Sequence, residues 1–315
     1  MHPKVRIGLG IATSPFSSAR AFFRFADLCE AGGVDSVWQT DRLSSRQPFL
    51  EALATMAALA GATDRLRFGM NAVVVSQRDP LLLAKQCATI DYLSDGRLLP
   101  VFGVGGENAP EWKATGTSPK DRGRRADEAL EIICRLWSEE SVSFEGEFYR
   151  YESASVAPRP VQQPLPCWIG GSSAAAIRRT ARFGTGWLAG IQTPRQVAPV
   201  IEAIRKASRE AGRAIPEDHY GAGFPFRFGA PDDPLVARVA KAREAAGGGA
   251  ASGQDYVAAG DAQVILTRIE EYRRTGVSKF VLIPIARGDD DLMDQSRRLI
   301  EEVLPVAEAE IAGAG

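Results

Sequence analysis

The feature that most constrains the fold of this chain is an alternation. Short apolar runs, several of them rich in β-branched residues, are separated again and again by longer amphipathic stretches. This is the pattern of repeated βα units. A strand buried on both faces needs continuous apolar residues, whereas the helix that covers it needs only one apolar stripe. Strands are expected at residues 5–11, 36–40, 66–75, 99–104, 167–169, 186–190, 220–228 and 279–284. Helices are expected at 18–31, 48–62, 79–93, 122–137, 174–183, 195–211, 262–275 and 293–310. Gly32-Gly33 closes the first helix, and Pro80 suits the first turn of the third, where its missing N–H costs nothing. Two stretches break the pattern. Residues 141–166 hold Pro158, Pro160, Pro164 and Pro166 and read as an irregular excursion. Residues 229–260, with Gly247-Gly248-Gly249, read as poorly regular and mobile. Eight strands with intervening helices predict a closed (β/α)8 barrel, with a doubly wound open sheet as the rival. The 315 residues suit one such domain, since α/β barrels commonly reach about 250 residues or more as a single unit. No linker or internal repeat divides the chain, so residues 1–315 read as one domain.

Bulk chemistry narrows the function. The chain carries 38 basic and 39 acidic side chains for a net charge of −1, with no long basic run, so the footprint of a nucleic-acid binder is missing. No apolar run approaches the roughly 20 residues needed to cross a bilayer. The first residues lack the apolar segment and cleavage site of a signal peptide, and a cytoplasmic location is expected. Cys29, Cys87, Cys134 and Cys167 are widely spaced and read as free thiols in a reducing compartment. His2 and His219 are the only histidines, which excludes a multi-histidine metal centre and makes a Ser-His-Asp triad a poor reading. With no Walker-type lysine loop and so little acid–base equipment, the hard chemistry is expected to belong to a cofactor.

In parallel barrels the reactive groups sit at the C-terminal ends of the strands. The second strand ends in Asp41-Arg42, which reads either as a ligand-contacting pair or as a surface ion pair. The fourth leads into Gly103-Val104-Gly105-Gly106-Glu107. Its glycines allow close backbone approach to a ligand or simply a tight turn. Glu107 and Glu111 are the nearest carboxylates, each a candidate proton donor or a solvated loop residue. After the fifth strand, Gly170-Gly171-Ser172-Ser173 precedes a helix. Bare amides, two hydroxyls and a helix N-terminus suit a phosphate, and ordinary N-capping is the alternative. Arg122, Arg124 and Arg125 open a helix against its dipole, which points to an anionic partner or to a solvated charged turn.

Taken in order, these segments resemble the luciferase-like monooxygenase family, which includes flavin-dependent monooxygenases and deazaflavin (coenzyme F-420) oxidoreductases. The resemblance covers roughly residues 5–190, with a weaker tail. It rests on Asp79-Pro80, Ala84-Lys85-Gln86 and Ile90-Asp91-Tyr92-Leu93-Ser94-Asp95-Gly96-Arg97. Gly103-Val104-Gly105, Glu111, Gly116, Glu128, Phe144-Glu145-Gly146, Pro158-Arg159-Pro160 and Ile169-Gly170-Gly171 continue it. It implies a barrel with an insertion after the fourth-strand helix and a flavin or deazaflavin ring at the mouth. Cofactor contacts are then expected from Asp41, Asn71, Ala72, Gly105, Arg122, Gly170, Gly171, Ser172 and Ser173. Catalytic roles are expected for Glu107, Asp41 and Arg42, although Arg42 stands where the family usually has His. The family often has a non-proline cis peptide in the third strand, and the matching bond here is Asn71–Ala72. Its Gly-Asp-Gly-Trp appears as Gly184-Thr185-Gly186-Trp187, with the carboxylate lost. The cofactor implied is FMN or F-420. The partners implied are a small organic substrate, dioxygen and a separate flavin reductase in the oxygen-using branch, and a second copy of the chain in a homodimer. A non-catalytic flavin-binding protein, or an unrelated barrel aldolase or hydrolase, are the rival readings.

Overall fold

The computed structural model describes residues 3–11, 16–247 and 251–309. Along the chain run β1 (Arg6–Gly10), α1 (Ala19–Ala31), β2 (Ser36–Gln39), α2 (Ala52–Ala62), β3 (Arg67–Val74), α3 (Pro80–Leu93) and β4 (Leu98–Gly103). There follow α4 (Glu111–Ala114), α5 (Arg122–Ser138), β5 (Val142–Glu145), β6 (Arg150–Ala154), β7 (Trp168–Gly170), α6 (Ala174–Phe183), β8 (Gly186–Leu188) and α7 (Pro194–Glu210). The rest comprises β9 (Tyr220–Phe228), α8 (Pro234–Gly247), β10 (Ala258–Gly260), α9 (Ala262–Arg273), β11 (Lys279–Pro284), α10 (Asp289–Arg298) and α11 (Leu304–Ala309).

β1, β2, β3, β4, β7, β8, β9 and β11 pair in parallel and close on themselves, β8 joining β9 through Trp187 opposite Tyr220. The expected (β/α)8 barrel is what the chain forms, and the open sheet is excluded. β10 adds a short parallel strand beside the far end of β9, from Ala258 opposite Phe226 to Gly260 opposite Phe228. The lumen holds Trp38, Leu99, Val101, Trp168, Leu188 and Val281, with Ala72 packed against them. A larger apolar shell lies between strands and helices.

Local chemistry explains the helix starts. Ser18, Asp79, Ser173 and Asp261 each accept a hydrogen bond from the N–H three residues on, at 2.9–3.2 Å. The turn between α3 and β4 is bound by Arg97, whose guanidinium donates to carbonyls of Ala60, Thr63, Leu66 and Ser94 and to the Thr63 hydroxyl. It thereby satisfies the open end of α2 and ties it to the start of β3.

Four expectations need correction. The second helix begins at Ala52 rather than residue 48, because Glu51 caps it through the Ala54 N–H at 2.7 Å. The 141–166 excursion contains an antiparallel hairpin, β5 with β6. The Glu128 carboxylate accepts three successive N–H groups at its tip, from Glu147, Phe148 and Tyr149. The 229–260 region is mostly regular, with α8, a 3-10 turn at Gly253–Tyr256 and β10. Gly248 and Gly249 lie outside the described residues. The last helix starts at Asp289, after Gly288 at φ 84°, and is interrupted by a π turn at Leu299–Val303. Glu310 lies outside the described residues.

Candidate active site at the barrel mouth

The C-terminal end of β3 is irregular. Its register with β4 shifts between Met70 and Val73, and the Asn71–Ala72 peptide is cis. The bulge carries Ala72 to a point where β4 and β7 also present glycine. A Cβ added to Gly103 or to Gly170 would meet the Ala72 methyl at 3.5 and 3.6 Å. Ala72, Gly103 and Gly170 thus form a floor of small groups beneath the mouth.

Beside this floor Asp41 is buried and fully engaged. Arg78 Nη1 donates to its Oδ2 at 2.6 Å and Nη2 to its Oδ1 at 2.8 Å, while the Val74 N–H donates to Oδ2 at 2.9 Å. Arg78 also reaches Glu51 at 3.1 Å, so β2, β3 and the start of α2 share one charged network. Burial works to lower the Arg78 pKa, and the bonds from Asp41 and Glu51 more than offset it, leaving it above the ordinary arginine value. The next residue, Arg42, turns outward to the rim and meets Glu111 at 3.2 Å. Glu111 is buried, and its second oxygen has no partner among the described residues.

The loop after β4 bends at Gly105, whose φ of 71° and 3.0 Å spacing from Val74 leave room only for glycine. Trp112 on α4 donates its indole N–H to the Gly106 carbonyl at 2.8 Å and holds that loop. Glu107 stands exposed, with Arg122 3.4 Å away. Arg124 pairs with Asp121 at 2.6 Å and with Glu147, and both Arg124 and Arg125 lie over the Phe148 ring. Those two arginines bind the hairpin rather than an anion.

After β7, Gly171 takes φ 99° and Ser173 caps α6. The Trp187 indole N–H donates to the Gly171 carbonyl at 2.7 Å and fixes the turn. Gly171 and Ser172 line a cleft of about 360 Å³ with Gly190, Ile191, Gln192 and Gln196. The structure therefore brings Ala72 and Gly170 to one floor with Gly103, puts Asn71 at the cis bond that leads into it, sets Gly171 and Ser172 in one cleft, and ties Asp41 into one ion pair. Ser173 serves as the cap, and Arg122 is not among the residues lining the cleft. Sequence reading missed Arg78, Gln192 and Gln196, and named Trp187 only within the Gly184–Trp187 motif, with no role at the site. An arginine just past a strand predicted to end at the mouth was the available sign for Arg78; the glutamines carried none.

A family model described as luciferase-like monooxygenase matches residues 4–281. An F420-dependent glucose-6-phosphate dehydrogenase of Kineococcus radiotolerans is 32% identical over 202 residues, 60% of this chain and 58% of the relative. The chain spans less than two thirds of the length of such curated relatives. The fold is similar to that of monooxygenase RslO1 from Streptomyces bottropensis, with TM-score 0.80, 23% identity and coverage of 96% and 99% of the two chains. It is also similar to an F420-dependent secondary alcohol dehydrogenase in complex with an F420-acetone adduct, with TM-score 0.82, 19% identity and coverage of 97% and 99%.

Proposed function

Because this chain belongs to the luciferase-like monooxygenase family, we propose that it is an oxidoreductase acting on a small organic substrate with a flavin-type ring bound at the mouth, coenzyme F-420 in first place and FMN in second. The observation that carries the reading is the floor formed by Ala72, Gly103 and Gly170 beside the open cleft at Gly171. A flat ring needs a floor without protruding side chains, and a phosphate-bearing tail needs exposed amides, and both are present. F-420 is preferred because the Kineococcus relative is named for it.

When bound, such a ring supplies or accepts a hydride; the protein supplies everything else. Gly171 and Ser172, at the start of α6, would hold the phosphate end through backbone N–H groups and the hydroxyl. Asp41 acts as a positioning residue, since Arg78 and the Val74 amide occupy both its oxygens and lock the end of β3 where a ring would be held. Glu107, exposed and paired with Arg122, would be the carboxylate that moves a proton at the mouth. Arg42, about half-exposed beside Glu111, presents its guanidinium to the substrate. The homodimer belongs to the same proposal: Leu82 and Leu93 fall on one stripe of α3 and are exposed, and a second copy would cover them.

Titration of the full chain with F-420, FMN and reduced FMN, followed by absorbance and fluorescence, tests the assignment. Selective binding of F-420 is expected. Selective FMN binding would overturn the preference, and absence of binding to all three would overturn the function. Gly171→Asp is expected to abolish binding by setting a carboxylate against the phosphate; unchanged affinity would remove this cleft from the site.

A further inference from the structure

The opposite end of the barrel, where the strands begin, also holds a pocket. It measures about 280 Å³, and its walls carry charge. Arg6, Arg67 and Lys279 open β1, β3 and β11 and converge there, over the indoles of Trp38 and Trp168. Strand register enforces the convergence, since Arg6 lies opposite Lys279 and Arg67 opposite Ser36, next to Asp35.

The charges do not balance. Asp35 contacts the Lys279 ammonium and lies 3.9 Å from Arg6. Asp218, the one carboxylate among the lining residues, is half-buried and lies 3.8 Å from His219. Three cations therefore share two carboxylates. The Arg67 guanidinium makes no hydrogen bond or ion pair among the described residues. Burial and the neighbouring Arg6 hold its pKa below the ordinary arginine value. The same two causes pull Lys279 down, and the Asp35 carboxylate lies against its ammonium. Arg78 and Arg227 by contrast are matched, Arg78 by Asp41 and Glu51 and Arg227 by Asp233 and Asp291. Arg243, which burial also holds below the ordinary value, shows no ion pair among the described residues but does not line this pocket. A half-buried cation beside another cation, facing open space, lacks a counter-charge of its own.

We propose that this pocket binds a compact oxoanion of the phosphate type, held by Arg67 with Arg6 and Lys279, at a site separate from the mouth. Guanidinium geometry matches phosphate oxygens in pairs, and the partly enclosed pocket weakens competition from water. Inorganic phosphate and the phosphoryl group of a small organic phosphate share this chemistry. The volume admits either, and the tryptophan floor gives an organic body an apolar surface to rest on.

Calorimetric titration of the full chain with inorganic phosphate and with phenyl phosphate, at constant ionic strength, tests the site. Saturable one-site binding is expected in Gly171→Asp, where a carboxylate blocks the cleft at the mouth, and it should weaken at least tenfold when Arg67→Gln is added. Tighter binding of phenyl phosphate assigns the pocket to an organic phosphate, and equal binding assigns it to the free anion. Absence of saturable binding, or phosphate affinity unaltered in Arg67→Gln, overturns the proposal. Loss of phosphate binding in Gly171→Asp places the anion at the mouth and overturns it equally, whatever cofactor the mouth takes. Without phosphate, Arg67→Gln should melt at the same temperature as the parent or higher, because it removes an unmatched cation. A fall of several degrees would make Arg67 a structural prop and defeat the assignment.

Discussion

At the scale of single residues, the mouth is governed by how charges are matched. Asp41 is held by a bidentate guanidinium and a backbone amide in a buried setting. Asp41→Asn keeps the shape but leaves Arg78 short of its main counter-charge. Breaking a buried pair in this way costs roughly 3–5 kcal/mol. Urea unfolding should register that loss, and a change below 1 kcal/mol would show that Glu51 alone suffices for Arg78. Cys87 gives a pH-dependent counterpart. Burial, with Asp91 adding to it and Arg78 opposing, pushes its thiol from an ordinary value of 9.0 up to about 12. In the unfolded chain the thiol ionises first, so its contribution to stability is complete below pH 9 and is lost as pH rises towards 12. Urea midpoints should therefore fall more steeply above pH 9 in the parent than in Cys87→Ala. Parallel slopes would contradict this account.

At the scale of elements, the hairpin formed by β5 and β6 depends on one side chain from α5. Glu128 accepts the N–H groups of residues 147–149, and Gly146 leaves the space its carboxylate needs. Hydrogen bonds to a charged acceptor are worth about 1.5–3 kcal/mol each, and here they act locally. Glu128→Gln should therefore speed amide exchange at residues 147–149 by roughly tenfold or more while moving the melting temperature little. Unchanged exchange there would show that Arg124, Arg125 and Phe148 hold the tip without it. The same reasoning explains why residues 141–166 read as irregular. The hairpin is short, its turn has no strong dipeptide signal, and its partner carboxylate lies elsewhere in the chain. The α8 helix escaped notice for a different reason. Its sequence, Pro-Leu-Val-Ala-Arg-Val-Ala-Lys-Ala-Arg-Glu-Ala-Ala-Gly, is alanine-rich and has no clean apolar stripe.

At the scale of the whole molecule, the barrel has two ends with different chemistry, joined by one lumen. Trp38 and Trp168 lie at the floor of the lower pocket, and the same packed column reaches Ala72 beneath the mouth. The outer face of α3 belongs to this scale too. Leu82, Tyr92 and Leu93 are more than half exposed, which is unusual on a helix that otherwise buries Leu83, Ala84, Cys87 and Ala88. Light scattering after size exclusion should give twice the mass of a 33.9 kDa chain, and Leu93→Glu should halve it. A parent that elutes as a monomer at micromolar concentration would end the dimer proposal. No helix among the described residues is long and apolar enough to cross a membrane.

The order of strands and helices followed from local information; closure as a barrel, rather than an open sheet, was decided by the pairing of β8 with β9. Apolar periodicity, capping residues and prolines act within a few residues of where they stand, so the bounds of α3, α6, β9 and β11 are legible in the sequence. The cluster of glycines and serines after β7 was visible for the same reason. What only the tertiary structure decided is which charges meet. Asp41 and Arg78 are 37 residues apart, Arg42 and Glu111 are 69 apart, and Asp35 and Lys279 are 244 apart. Strand register and barrel closure set those pairings, and a one-dimensional pattern of residue types carries neither.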